Sequence, residues 1–133
     1  MNASIIPATW QGPLYAALRV ITGLLYMEHG LTKLLHWPAT DPFPAGQALP
    51  PLMLAAGILE LVGGALIAVG LFTRITAFVL AGMMAVAYFM AHFPSSFFPV
   101  QNGGDAAVLF SFVFLYFAAS GAGPFSVDSS RKA

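Results

Sequence analysis

Residues 49–73 read LPPLMLAAGILELVGGALIAVGLFT, a run with a single charge, Glu60. At about 1.5 Å per residue this stretch outreaches a hydrocarbon layer roughly 30 Å thick. Pro50 and Pro51 stand where a first helical turn tolerates proline. The stretch therefore predicts a membrane-crossing helix with a carboxylate inside it. Arg74 follows at once, and residues 75–93 then run without formal charge to Pro94. A third clean run covers 106–122, between Asp105 and Gly121–Pro124. Residues 12–35 form a further apolar segment, interrupted by Arg19, Glu28, His29 and Lys33.

The composition agrees with lipid as the solvent. The chain has 133 residues, 59% of them hydrophobic and 8% charged, where a soluble domain carries about 25% charged residues. Twelve Phe exclude a disordered composition. Zero net charge argues against a nucleic-acid partner. The absence of cysteine removes disulfides, thiol redox chemistry and Cys-based metal sites. The first ten residues carry no Lys or Arg and do not read as a signal peptide. The expected fold is an all-α, integral membrane four-helix up-down bundle forming one domain over 1–133, with spans at 12–35, 49–73, 75–93 and 106–122.

Orientation follows from the basic residues. Four spans put both termini and the 72–74 turn on one side, with Arg74, Arg131 and Lys132; Arg19 is nearer that side, and Lys33 lies at the other. The positive-inside rule places both termini in the cytoplasm. Only Asp41, Asp128, Arg131 and Lys132 fall clearly in loops or tail.

Ionisable side chains within lipid are costly and face the protein interior, so they mark candidate sites. Arg19, Gly23, Tyr26, Gly30 and Lys33 recur at offsets of four and three and share one helical face. His29 lies about 80° from that face. Glu60 falls roughly 16 Å, and Arg19 roughly 24 Å, from the outer ends of their helices. Each is the deepest charge of its helix, the signs are opposite, and an arginine side chain can bridge much of that gap. This predicts an Arg19–Glu60 pair, which would either serve a site or simply set helix register.

Nearer the outer surface come Glu28, His29, Lys33, Tyr88, His92, Asn102 and Asp105. Their convergence would form a small-molecule or proton site, with histidine titrating near neutral pH. The competing reading is structural: Asn102 or Asp105 capping the last helix, His92 bonding loop backbone, and Lys33 snorkelling to headgroups. His29, His36 and His92 lack a shared ligand spacing, so no metal or haem site is expected.

The string Arg19-x3-Gly23-x2-Tyr26-x2-His29-Gly30-x2-Lys33-Leu34, followed by Trp37-Pro38, resembles the DoxX family. So do Glu60-Leu-Val-Gly63-Gly64, Gly70-Leu71, Thr73-Arg74, His92, Asn102-Gly103-Gly104-Asp105 and Gly121-Ala-Gly123-Pro124-Phe-Ser126-Val-Asp128. Asp105 stands where that family more often has Glu. The resemblance implies a small four-helix bacterial membrane protein linked to quinone and sulfur-compound oxidation. Its recurrent polar positions map onto Arg19, His29, Lys33, Glu60, Arg74, His92, Asn102 and Asp105.

Three functions compete. A redox-associated membrane subunit would bind a quinone-like ligand between helices through His29, His92 and Glu60, with electrons from a partner oxidoreductase or the ligand itself. A scaffold would dock a partner through Trp37, Phe43, Phe97 and Phe98. A transporter or proton path would need a homo-oligomer to enclose enough space.

Overall fold

The computed structural model describes residues 4–40 and 46–132, so Asp41 and Phe43 lie outside the described residues. The described chain is helical, with no β-sheet among those residues. After a 3-10 turn at Ala8–Trp10 come α1 (Gln11–Leu35), α2 (Pro51–Val69), α3 (Thr73–Ala87), α4 (Pro99–Asn102), α5 (Asp105–Ser120) and α6 (Val127–Ser130). A π turn, Tyr88–His92, prolongs α3.

The helix boundaries have local causes. Pro51 occupies the first position of α2, and Gly70, at φ 70°, takes the left-handed conformation that ends it. The chain reverses through Leu71 and Phe72 directly into α3. Helix α5 stops at Gly121, where φ is 84°. Thus the apolar run beginning at Leu49 yields a helix ending at Val69, and its last residues make the turn.

Packing follows the glycines. A Cβ on Gly23 would lie 2.7 Å from the Gly64 carbonyl, and one on Gly30 would lie 2.7 Å from the Gly57 carbonyl. Helices α1 and α2 are therefore in backbone contact along an antiparallel seam, the close approach that small residues permit in membranes. Gly63 admits the Leu80 side chain of α3 in the same way. Helix α3 packs antiparallel on α5, where Ser111 Oγ donates to Ala81 O at 2.9 Å. The buried core gathers Tyr26, Ile67, Leu80, Met84, Phe114 and Phe117. Tyr26 meets Phe114 edge-on at 4.8 Å.

The outward faces are apolar as well: Ile21, Leu25, Phe78, Leu109 and Phe112 are all exposed. By length and composition, two helices can cross a membrane, Pro51–Val69 and Thr73–His92. Helix α1 has the length but carries three formal charges, and α5 has 16 residues.

Candidate functional site

Polar groups collect at two ends of the helix assembly. One end, the turn end, holds the α2–α3 turn and the C-terminal segment. The loop end holds the C-terminus of α1 and the 93–104 connection.

At the loop end, Lys33 Nζ lies 2.7 Å from Glu60 Oε2 and 3.0 Å from Oε1. Their side chains are 12% and 6% exposed. Gly57 makes this possible, because its missing Cβ leaves room for the Lys33 stem. The buried Tyr26 hydroxyl donates to Met83 Sδ at 3.2 Å, and a thioether is a weak acceptor. His29 is exposed and stands edge-on to Phe110, with centroids 6.0 Å apart.

A second group forms where the π turn faces the loop. Asn102 Nδ2 donates to Tyr88 Oη at 3.1 Å and to Ser96 O at 2.9 Å. Its Oδ1 accepts from Gly104 N–H at 2.7 Å. His92 Nδ1 lies 3.0 Å from Asn102 O, and its ring stacks on Tyr88. Tyr88 Oη also donates to Phe97 O. Asn102 thus holds the N-cap residue of α5, while Asp105 is exposed as the first residue of that helix.

The expected Arg19–Glu60 pair is not formed. Helix register prevents it: the seam that matches Gly23 to Gly64 puts Arg19 beside Gly70, where a Cβ would lie 3.2 Å from the guanidinium carbon. Glu60 is then ten residues back along α2, about 15 Å away, whereas Lys33 can fold back to it. Lys33 therefore turns inward to the carboxylate. The expected outer cluster also divides. Lys33 and Glu60 belong to α1 and α2; Tyr88, His92 and Asn102 belong to the π turn and its facing loop. No group of three metal-ligating side chains occurs among the described residues.

Arg19 instead organises the turn end. Fully buried, it donates to the carbonyls of Ala122, Pro124 (3.1 Å) and Phe125 (2.7 Å). Tyr15 Oη donates to Gly121 O at 2.5 Å. The C-termini of α2 and α5 both end here, so their negative dipole ends complement the guanidinium without a carboxylate. Asp128 fastens the segment to the turn: its carboxylate accepts from Phe72 N–H and Thr73 N–H, each at 2.9 Å. Its own N–H donates to Gly70 O. Partial burial works to raise the Asp128 carboxyl, but the Thr73 and Phe72 donors, with Arg131, hold it below the ordinary carboxylate range.

Tyr15, Asp128 and the C-terminal carbonyls are not among the candidates that the sequence singles out, and Tyr26 enters there only as part of a helical stripe. The available signal for the tail was the Ser126–Ser129 capping box, which marks an ordered segment. Trp37, Phe97 and Phe98 are exposed at the loop end, and Phe43 lies outside the described residues.

Comparison with known proteins bears on this arrangement. A Haemophilus influenzae (strain ATCC 51907 / DSM 11121 / KW20 / Rd) protein named "Uncharacterized protein" is 42% identical over 117 residues, 86% of this chain and 87% of that protein. "Putative oxidoreductase CatD" of Bacillus subtilis (strain 168) is 40% identical over 65 residues, 48% of each chain. No solved structure matches. The DoxX family model matches residues 14–93, the part that carries the glycine seam, Arg19 and the Lys33–Glu60 pair, and this apolar helical chain is a membrane protein that belongs to the DoxX family.

Proposed function

We propose that the chain crosses the bacterial inner membrane four times as an up-down bundle, both termini cytoplasmic, and acts as a redox-associated membrane subunit. It binds a quinone-like molecule at the loop end. The observation that carries this reading is the Lys33–Glu60 pair, 12% and 6% exposed between otherwise apolar helices. Buried charge is expensive in lipid, and intramembrane ionisable residues usually mark a substrate or proton path. The surrounding groups suit such a ligand. The Tyr26 hydroxyl sits on a weak thioether acceptor, a bond that a stronger acceptor would displace at little cost. His29 supplies a second donor beside the Phe110 ring, and Glu60 with Lys33 offers a polar, charged contact between apolar helices. A partner oxidoreductase or the ligand itself supplies electrons. The name of the Bacillus subtilis relative supports the redox direction, and the excess of Arg and Lys at the turn end supports the orientation.

The test is equilibrium binding of a quinone analogue to the full chain in nanodiscs, followed by quenching of tryptophan fluorescence. The expected result is saturable binding, weakened at least about tenfold (about 1.4 kcal/mol) by Glu60→Gln and by His29→Phe. Lack of saturable binding by the wild type, or unchanged affinity in both variants, ends this reading. The exposed trio Trp37, Phe97 and Phe98 favours a second reading, a scaffold that docks a partner through the loop end. Crosslinking in membranes that captures no partner at these positions removes it.

A further inference from the structure

Opposite the proposed ligand site, the turn end carries an open groove of about 720 Å³ between the start of α3 and the C-terminal segment. Its lining includes Arg74, Arg131 and Lys132 with a single carboxylate, Asp128. That carboxylate is committed to the backbone N–H groups of Phe72 and Thr73. Among the described residues, no carboxylate comes within ion-pair distance of the three cations. The groove therefore presents a net positive surface.

The cations are placed by other contacts. Arg74 Nη1 donates to the carbonyls of Ala118 (3.1 Å) and Ala119, the last turn of α5. Gly121 lacks the Cβ that would come within 3.2 Å of Arg74 Nη2, so the guanidinium lies flat against the chain. Arg131 stacks over the Phe72 ring, 5.2 Å from its centroid. Two guanidinium groups and a lysine thus line one groove, and arginine recognises phosphate through paired N–H donors. Trp10 is exposed at this end beside Phe72 and Phe125, and tryptophan favours bilayer interfaces.

We propose that this groove binds a phosphate-bearing group through Arg74, Arg131 and Lys132, either the headgroup of an anionic lipid or a soluble phosphate. An anionic headgroup at this depth meets the groove by lateral diffusion, and each basic residue near such a surface adds to the attraction. A soluble phosphate would enter from the aqueous side of the same opening. The site is independent of quinone binding, which takes place at the other end of the helices.

The full chain is placed in nanodiscs of phosphatidylcholine with and without phosphatidylglycerol, and separately titrated in neutral detergent with inorganic phosphate. Thermal unfolding and native mass spectrometry of retained lipid are the readouts. Arg131→Gln with Lys132→Gln is the variant, because the hydrogen bonds that clasp the C-terminal segment come from Asp128 and Arg19 and stay in place, and Arg131 gives up only its contact with the exposed Phe72 ring. Stabilisation and lipid retention with phosphatidylglycerol alone identify a headgroup site; a saturable response to inorganic phosphate identifies a soluble one. In either case the double variant loses about thirtyfold in affinity, as two interfacial cations are worth. No response to either probe, or equal binding by wild type and variant, overturns the proposal.

Discussion

Lys33 Nζ and Glu60 Oε2 lie 2.7 Å apart, joining α1 to α2 in a nearly dry environment. The lysine sits near the end of α1 and reaches back along the seam, so the pair reports the register of the two helices. Removing one partner strands the other charge. Lys33→Met is expected to destabilise the protein by about 3–5 kcal/mol, measured by unfolding in detergent. Lys33→Met combined with Glu60→Met should recover most of that loss. A loss in the double variant equal to the sum of the two single losses would show that the two groups are not coupled. The same cycle between Arg19 and Glu60 should be additive within about 0.5 kcal/mol.

The glycine seam makes a position-specific prediction. A methyl at Gly30 would lie 2.5 Å from Leu61 N, so Gly30→Ala must force α1 from α2. A loss of about 1–3 kcal/mol is expected from such overpacking. A methyl at Gly82 would meet nothing within 4 Å, and Gly82→Ala should be neutral or stabilise α3 by up to about 1 kcal/mol. Melting temperatures that move the same way in both variants would contradict the seam.

Asp128 predicts an acid dependence with a definite sign. Its carboxyl is held below the ordinary value of 3.8 in the folded protein. The stabilisation it contributes is therefore complete above that ordinary value and is lost as pH falls through the lower folded value. Asp128→Asn should cost about 0.5–2 kcal/mol at neutral pH, as lost helix caps do. The gap between wild type and variant should begin to narrow below about pH 4 and close only at lower pH, where the native carboxyl also becomes neutral. Unfolding curves that stay equally separated down to about pH 2 would exclude this role.

Arg19 should act on a segment distant in sequence. Arg19→Lys keeps the charge but cannot span the carbonyls of Ala122, Pro124 and Phe125 with a planar fork. Amide hydrogen exchange in residues 121–128 should quicken, while exchange at the Gly30–Gly57 contact stays unchanged. If the two regions respond alike, Arg19 supports the whole bundle rather than the C-terminal clasp.

These contacts separate what was legible in the chain from what was not. The apolar runs were legible, because hydropathy is a property of neighbouring residues. So were the ends of α2, because Pro51 and Gly70 act through their own backbones. The cost of burying Arg19, Lys33 and Glu60 could also be read directly, which is why all three were singled out. Their partners could not be, since sign and depth along separate helices do not fix how those helices slide against each other. The division of Tyr88, His92 and Asn102 from Lys33 and Glu60 had no sequence counterpart either, because it depends on which helices lie side by side.

The sequence by itself determined a helical, lipid-compatible chain of the DoxX family with a few charges that must find shelter. Only the tertiary structure decided where each one went. The Gly23–Gly64 and Gly30–Gly57 contacts set the slide of α1 along α2, and a slide of ten residues is about 15 Å. At that distance a side chain cannot make up the difference. Glu60 therefore took Lys33, and Arg19 took the carbonyls of a C-terminal segment about a hundred residues away in sequence.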